Sequence, residues 1–187
     1  LYVKGILEDT DTLHLFVNHW PSRYGGYKQT EHKRCAAAAT LRHVIDSVYG
    51  EHHDPHIVIM GDFNDNPVDK SISLILKAPM LHSSESSDLF SLPLESGNPA
   101  VMGTLKHEGE WSVFDQIIVS PELLNQQSKF YIHSAKQFVF APDFLLIDDE
   151  KYTGKKPFRT FRGFKYTGGF SDHLPVYIQI RINKNSD

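Results

Sequence analysis

Ile57-Val58-Ile59-Met60 runs without interruption into Gly61-Asp62-Phe63-Asn64-Asp65, and the reading of this stretch decides the fold. Four consecutive apolar residues bounded by a glycine predict a central strand buried on both faces, the kind found in layered α/β domains. Asp62 and Asn64 stand two residues apart. On extended backbone their side chains point the same way and Phe63 points the other. A carboxylate and an amide can then converge at the strand end, where α/β folds place their ligands. Gly, Asp and Asn also make turns. The strand before them and the helix expected after them, with Asn66-Pro67 as cap and first position and an end near Lys77, favour a site over a turn.

Upstream, Leu13, Leu15 and Val17 alternate with His14 and Phe16, predicting a strand over Thr12 to Val17. Leu1 to Leu7 alternates similarly and pairs with it as a hairpin through Glu8-Asp9-Thr10-Asp11. A loop carrying Gly25 and Gly26 leads to a helix capped by Thr30, with Leu41, Val44, Ile45 and Val48 on one face and Gly50 as its stop. Downstream, Leu81 to Thr104 is rich in Ser, Gly and Pro and reads as a long loop with one short helix at Asp88 to Leu92. Val113 to Val119, Gln137 to Phe140 and Pro175 to Ile180 read as strands, and Asp143 to Phe164 as a mixed polar segment. With no repeat or linker in 187 residues, one α/β domain is expected over residues 1–187.

The formal net charge of −4 gives no reason to expect strong non-specific affinity for nucleic acid. The single cysteine, Cys35, excludes an intrachain disulfide and a thiolate metal site, and reads as packed against the core. No segment is long and apolar enough to span a membrane.

Three further clusters carry chemistry. Ser171-Asp172-His173, after Gly168-Gly169, puts a carboxylate beside an imidazole where glycines let the backbone leave the regular strand. Asp115 sits among apolar residues in Phe114-Asp115-Gln116-Ile117-Ile118-Val119, and a carboxylate there needs a partner. An imidazole suits it, and His173 is the expected one. His19 ends the second strand, next to Trp20. Among the cations, Arg23 and Arg159 are candidates to bind a substrate phosphate, Arg159 with Arg162 as a clamp. His52, His53 and His56 look like a metal cluster but lie in a polar loop, and read as surface residues.

Taken in order, His19, Gly61-Asp62-Phe63-Asn64, Asp115 and Ser171-Asp172-His173 resemble the endonuclease/exonuclease/phosphatase superfamily, from His19 to Ile180. The resemblance implies a DNase I-like four-layer α/β sandwich, two mixed sheets face to face with helices outside. It implies that His19 contacts the scissile phosphate, that Asp62 orients or activates the attacking water, and that Asn64 is its phosphate-binding companion. Asp172 resembles a Mg²⁺ ligand, with Asp62 and Asn64 as further donors, and His173 with Asp115 the family's His–Asp dyad. The implied chemistry is hydrolysis of a phosphate mono- or diester by in-line attack of water, with Mg²⁺ or Mn²⁺.

The family pattern includes an early Asn and a metal-binding Glu upstream of the first histidine strand, and the eighteen residues before His19 offer neither in suitable context. The chain, starting in what reads as a strand under way, is therefore expected to be the C-terminal part of a longer domain, truncated at the N-terminus. An export signal upstream stays open, and so does the location. A fragment of this kind is expected to bind metal weakly, to hydrolyse phosphodiesters poorly or not at all, and to self-associate through an uncovered sheet edge. The acidic charge favours a small phosphoester or lipid head group over nucleic acid as substrate. A nuclease, or a binding module that keeps the fold without turnover, are the alternatives.

Overall fold

The structure, a computed structural model, describes residues 1–7, 11–81, 83 and 86–183. Strand β1, Tyr2–Leu7, pairs antiparallel with β2, Asp11–His19, in the expected hairpin register, Tyr2 opposite Phe16 and Leu7 opposite Asp11. Of its turn, Glu8, Asp9 and Thr10 lie outside the described residues. The helix α1, Tyr27–Glu51, carries the chain to β3, His56–Asp62, which runs parallel to β2. After β4, Phe90–Ser91, β5, Leu94–Ser96, and the hairpin β6, Leu105–His107, with β7, Glu110–Ser112, comes β8, Asp115–Val119. It lies antiparallel to both β3 and β4, giving a five-stranded mixed sheet in the order β1-β2-β3-β8-β4.

Each face of this sheet is covered. Phe16, Ile57, Ile59 and Ile118 on one face pack against Ala38, Leu41, Ile45 and Val48 of α1. Leu13, Val58, Ile117 and Val119 on the other pack against Phe130 and Ile132 of β9, Phe130–Ile132. The continuous apolar run of β3 is explained by this: alternate residues serve opposite layers. A second sheet is built from β10, Gln137–Val139, parallel to β5. After the pair β11, Leu146–Asp148, and β12, Lys155–Pro157, and the hairpin β13, Phe161–Arg162, with β14, Lys165–Tyr166, strand β15, Val176–Tyr177, closes it antiparallel to β10. Strand β16, Ile180–Ile182, pairs with β9. Mixed sheets with few helices make up the α/β fold of DNase I type expected from the sequence. No helix among the described residues is long and apolar enough to cross a membrane.

Several local expectations change. Helix α1 starts three residues before Thr30, whose hydroxyl donates to the Gly26 carbonyl (2.8 Å) inside the first turn, and it runs through Gly50. The helix expected after Asn66-Pro67 shrinks to a tight turn and a five-residue π-type segment, Ser71–Ile75. Asn66 does not cap it, because its side-chain oxygen accepts from Val113 N–H (2.9 Å). Residues 88–92 form no helix. Arg42 holds the Asp88 carboxylate through two hydrogen bonds (3.0 and 2.8 Å), Tyr49 holds its carbonyl, and Phe90 and Ser91 pair with β8. Pro175 to Ile180 is not one strand: β15 and β16 join different partners. His56 is buried, with Nδ1 3.3 Å from Asp11.

Asp65 ties these pieces together. Fully buried, it lies 2.8 Å from Arg34 Nε of α1, accepts from Arg23 (2.9 Å) and from the Ser71 hydroxyl (2.5 Å), and its carbonyl accepts from Gln116 of β8 (2.6 Å). Asp65→Ala would strand the fully buried Arg34 guanidinium, and is expected to cost about 3–5 kcal/mol in urea unfolding. A loss below about 1 kcal/mol would show that the network does not anchor the strand ends. A second expectation concerns acid. Burial, then the nearby His52, Lys4 and His56, lower the pKa of His14 from 6.5. Below that value the unfolded chain takes up a proton that the folded chain resists, so stability falls as pH falls through this window. Replacing His14 by Gln is expected to flatten the dependence between about pH 6.5 and 5, and urea midpoints measured across that range check it.

Candidate active site

Three strand ends place three functional side chains in one row. The register sets His19 of β2 opposite Asp62 of β3, and Asp62 opposite Asp115 of β8. The row is possible because Gly61 adopts φ +135° beneath Asn18, whose carbonyl oxygen would lie 1.9 Å from any Cβ at that position. Only glycine accepts both that torsion and that closeness. His19 Nε2 lies 3.6 Å from Asp62 Oδ2, with the imidazole largely exposed.

His173 arrives from the far end of the chain. Its backbone bridges to Leu105 of β6, and its Nδ1 is 2.7 Å from Asp115 Oδ2. Burial alone would lower the His173 pKa, but the hydrogen bond and charge of Asp115 outweigh it and leave the imidazole above its ordinary value. Asp115 is held in turn by Thr104. This fully buried hydroxyl accepts from the N–H groups of Phe114 (3.2 Å) and Asp115 (3.1 Å), while its carbonyl takes Leu174 N–H (2.8 Å). One threonine thus clamps both partners of the His173–Asp115 pair. It lies in a stretch that reads as loop, and nothing in the sequence distinguishes it from its neighbours.

Asp62 and Asn64 act together. The Asn64 backbone N–H donates to Asp62 Oδ1 (2.8 Å) and its side-chain amide to Asp62 Oδ2 (3.1 Å) and to the Trp20 carbonyl (3.0 Å). Asn64 adopts φ +52°, a left-handed conformation that Asn tolerates. The Trp20 carbonyl requires a donor, so the amide nitrogen is the atom turned inward. Burial raises the Asp62 pKa above 3.8 against the opposing Asn64 bond, and Asp115 adds to the rise.

Asp62, Asp115 and His173 offer donor atoms all within 4.8 Å of one another, a set that could hold a metal ion. Asp172 is exposed and lies outside this trio, though its charge contributes to raising His173. Asn64, expected as a donor to metal, instead bonds Asp62. Arg23 needs correcting as a phosphate ligand. Its guanidinium is spent on the Asn64 carbonyl (2.7 Å), Asp65 and Asp69, and it lies 4.5 Å from the ring centroids of Tyr27 and Phe114. Arg159 lines a different cleft, with Lys156, Arg162 and Lys165, that includes none of the row residues.

No curated protein matches the chain in sequence. Solved structures match its fold. A functionally unknown conserved protein from Enterococcus faecalis shares 14% identity over 94% of this chain and 52% of its own, with a TM-score of 0.52. A mutant beta toxin from Staphylococcus aureus with bound magnesium ions shares 18%, over 94% and 55%, with a TM-score of 0.53. An endonuclease/exonuclease/phosphatase from Bacteroides vulgatus shares 13%, over 94% and 51%, with a TM-score of 0.50. The chain spans about half the length of these structures, and at such identities the likeness is one of fold. The family model described as Endonuclease/Exonuclease/phosphatase family matches residues 1–182, so this chain belongs to that family.

Proposed function

We propose that the chain carries the catalytic centre of a divalent-metal-dependent phosphoesterase that cleaves a phosphate mono- or diester by in-line attack of water. The observation that carries this reading is the row of His19, Asp62 and Asp115 at adjacent strand ends, with His173 on Asp115 at 2.7 Å. Water attack on a phosphate ester needs a base, donors for the phosphoryl oxygens and a counter-charge, and these residue types supply all three.

The donor chemistry fits a hard cation. Two carboxylates share a half-buried space, and the charge of Asp115 makes ionisation of Asp62 costlier, which a cation would relieve. We assign Asp62 to this role with Asp172 at the rim. Carboxylate oxygens suit Mg²⁺ and Mn²⁺ alike, and magnesium is the ion bound in the beta toxin neighbour. Bound there, the cation supplies positive charge against the phosphoryl oxygens.

The chain's own residues do the rest. Asp62, its carboxylate aimed by the two Asn64 N–H donors, orients the water and takes its proton. His173 donates Nδ1–H to Asp115, and in the imidazolium form that this carboxylate favours its Nε2–H also donates, to a phosphoryl oxygen. His19, exposed beside Asp62, donates to the same phosphate from the opposite end of the row. The net negative charge favours a small phosphoester or a lipid head group over duplex nucleic acid.

His173→Ala is expected to lower kcat on bis(p-nitrophenyl) phosphate by about 10²–10⁴-fold, and Asp115→Asn by somewhat less, with the urea midpoint of each variant measured to show that it is folded under assay conditions. Chelation should abolish p-nitrophenol release, and added Mg²⁺ or Mn²⁺ should restore it. Turnover that survives chelation, or that His173→Ala leaves intact, would end this reading.

A further inference from the structure

The chain is acidic overall, yet residues 151–171 contain Lys151, Lys155, Lys156, Arg159, Arg162 and Lys165 and no Asp or Glu. Four of these cations, Lys156, Arg159, Arg162 and Lys165, line a cavity of about 240 Å³ between β12 and the β13–β14 hairpin. Glu150 also lines it and lies 3.5 Å from Arg162, and Lys156 pairs with Asp149 at 3.0 Å. That leaves Arg159, half-buried, and Lys165 with no carboxylate partner among the described residues. A second cavity of about 610 Å³ shares Lys156, Arg159 and Arg162 and opens beside it. Two of the four cations are thus paired with carboxylates, and Arg159 and Lys165 keep donor capacity for an anion that enters the recess.

The recess is built into the loop that delivers His173. Thr167 donates its hydroxyl to the Arg159 carbonyl (2.6 Å), and Phe170 N–H donates to the Phe158 carbonyl (2.7 Å). A Cβ on Gly169 would lie 2.2 Å from Phe158 O and 2.4 Å from Arg159 O, so the two segments are in direct backbone contact. Four residues on stands His173. On its other flank, Lys106 of β6 adjoins Leu105, the backbone partner of His173.

We propose that this cleft is a second anion subsite. It binds a phosphate or carboxylate carried on the substrate at a distance from the ester being cleaved, with the Arg159 guanidinium as a two-pronged donor and Lys165 as the accompanying point charge. The substrate class is then a phosphoester bearing two anionic groups. This rests on the phosphoesterase reading for the catalytic half, while the subsite itself rests on Arg159 and Lys165.

Calorimetric titration of the chain with inorganic phosphate, in the presence of Mn²⁺, tests it. Two phosphates per chain are expected. The Arg159→Gln/Lys165→Gln variant should keep one, with affinity at the other site reduced by about tenfold or more. The His19→Ala/His173→Ala variant should keep the one that depends on Arg159. Thermal midpoints and the partial rescue by Arg159→Lys separate lost binding from lost folding. Malonate in place of phosphate distinguishes the source, since tighter malonate at the Arg159-dependent site assigns it to a carboxylate and tighter phosphate to a phosphate. Two phosphates retained by the Arg159/Lys165 variant, or a single phosphate in the unaltered protein that this variant still binds, would overturn the subsite. A chain that binds two phosphates but turns over no p-nitrophenyl ester would overturn the phosphoesterase reading and leave the subsite standing.

Discussion

The buried carboxylate of Asp65 is the constraint on which the strand-end architecture depends. It receives Arg34 from the helix, Arg23 from the loop after β2 and Ser71 from the π-type segment, while its carbonyl receives Gln116 from β8. A buried carboxylate is costly without partners, so the three elements that supply them must arrive together, and β8 joins them through the carbonyl. Arg23 is half shared with Asp69, and its cost is offset by aromatic rings on both sides. Because Asp65 directly follows Asp62 and Asn64, this clamp fixes the backbone that aims them.

Given that clamp, the chemistry follows from register. Parallel pairing of β2 with β3 and antiparallel pairing of β3 with β8 bring His19, Asp62 and Asp115 abreast, although 43 and 53 residues separate consecutive members in the chain. A slip of one residue in either pairing would turn a member of the row to the opposite face. The charge of Asp115 then adds to the cost of ionising Asp62, and His173 pairs with Asp115. The same proximity gathers Asp62, Asp115 and His173 into a set that could hold a cation.

Two arginines named from sequence show why charge alone is a poor guide to ligands. Arg23 and Arg159 read alike as exposed cations near functional motifs. Arg23 proves to be internal scaffolding, satisfied by three acceptors, and Arg159 lines a cleft whose one carboxylate, Glu150, pairs with Arg162 instead. Only the second has capacity left for a ligand. Similarly, Asn66 carries a capping signal, but its side chain is taken by Val113 N–H from a distant strand, and the helix it would have started is lost. Local propensity is a weak prior where a tertiary partner offers a better bond.

Much of the fold was legible because periodicity is local. The β1–β2 hairpin, α1, β3 and β8 follow from alternation, a long amphipathic run and two apolar runs, and the motif residues around Asp62, Asp115 and His173 stood out because polar groups there needed an explanation. Short strands such as Phe90–Ser91 and the clamp by Thr104 were not legible, since two residues or one hydroxyl carry no period, and their partners lie about 10 to 30 residues away. Sequence by itself determined which residue types end the central strands, and the pairing of Asp115 with an imidazole, because a carboxylate among apolar residues demands a partner wherever the chain finds one. Tertiary structure alone decided which cations were consumed within the protein and which were left facing a recess, because hydrogen-bond capacity is allotted among groups that meet only after folding.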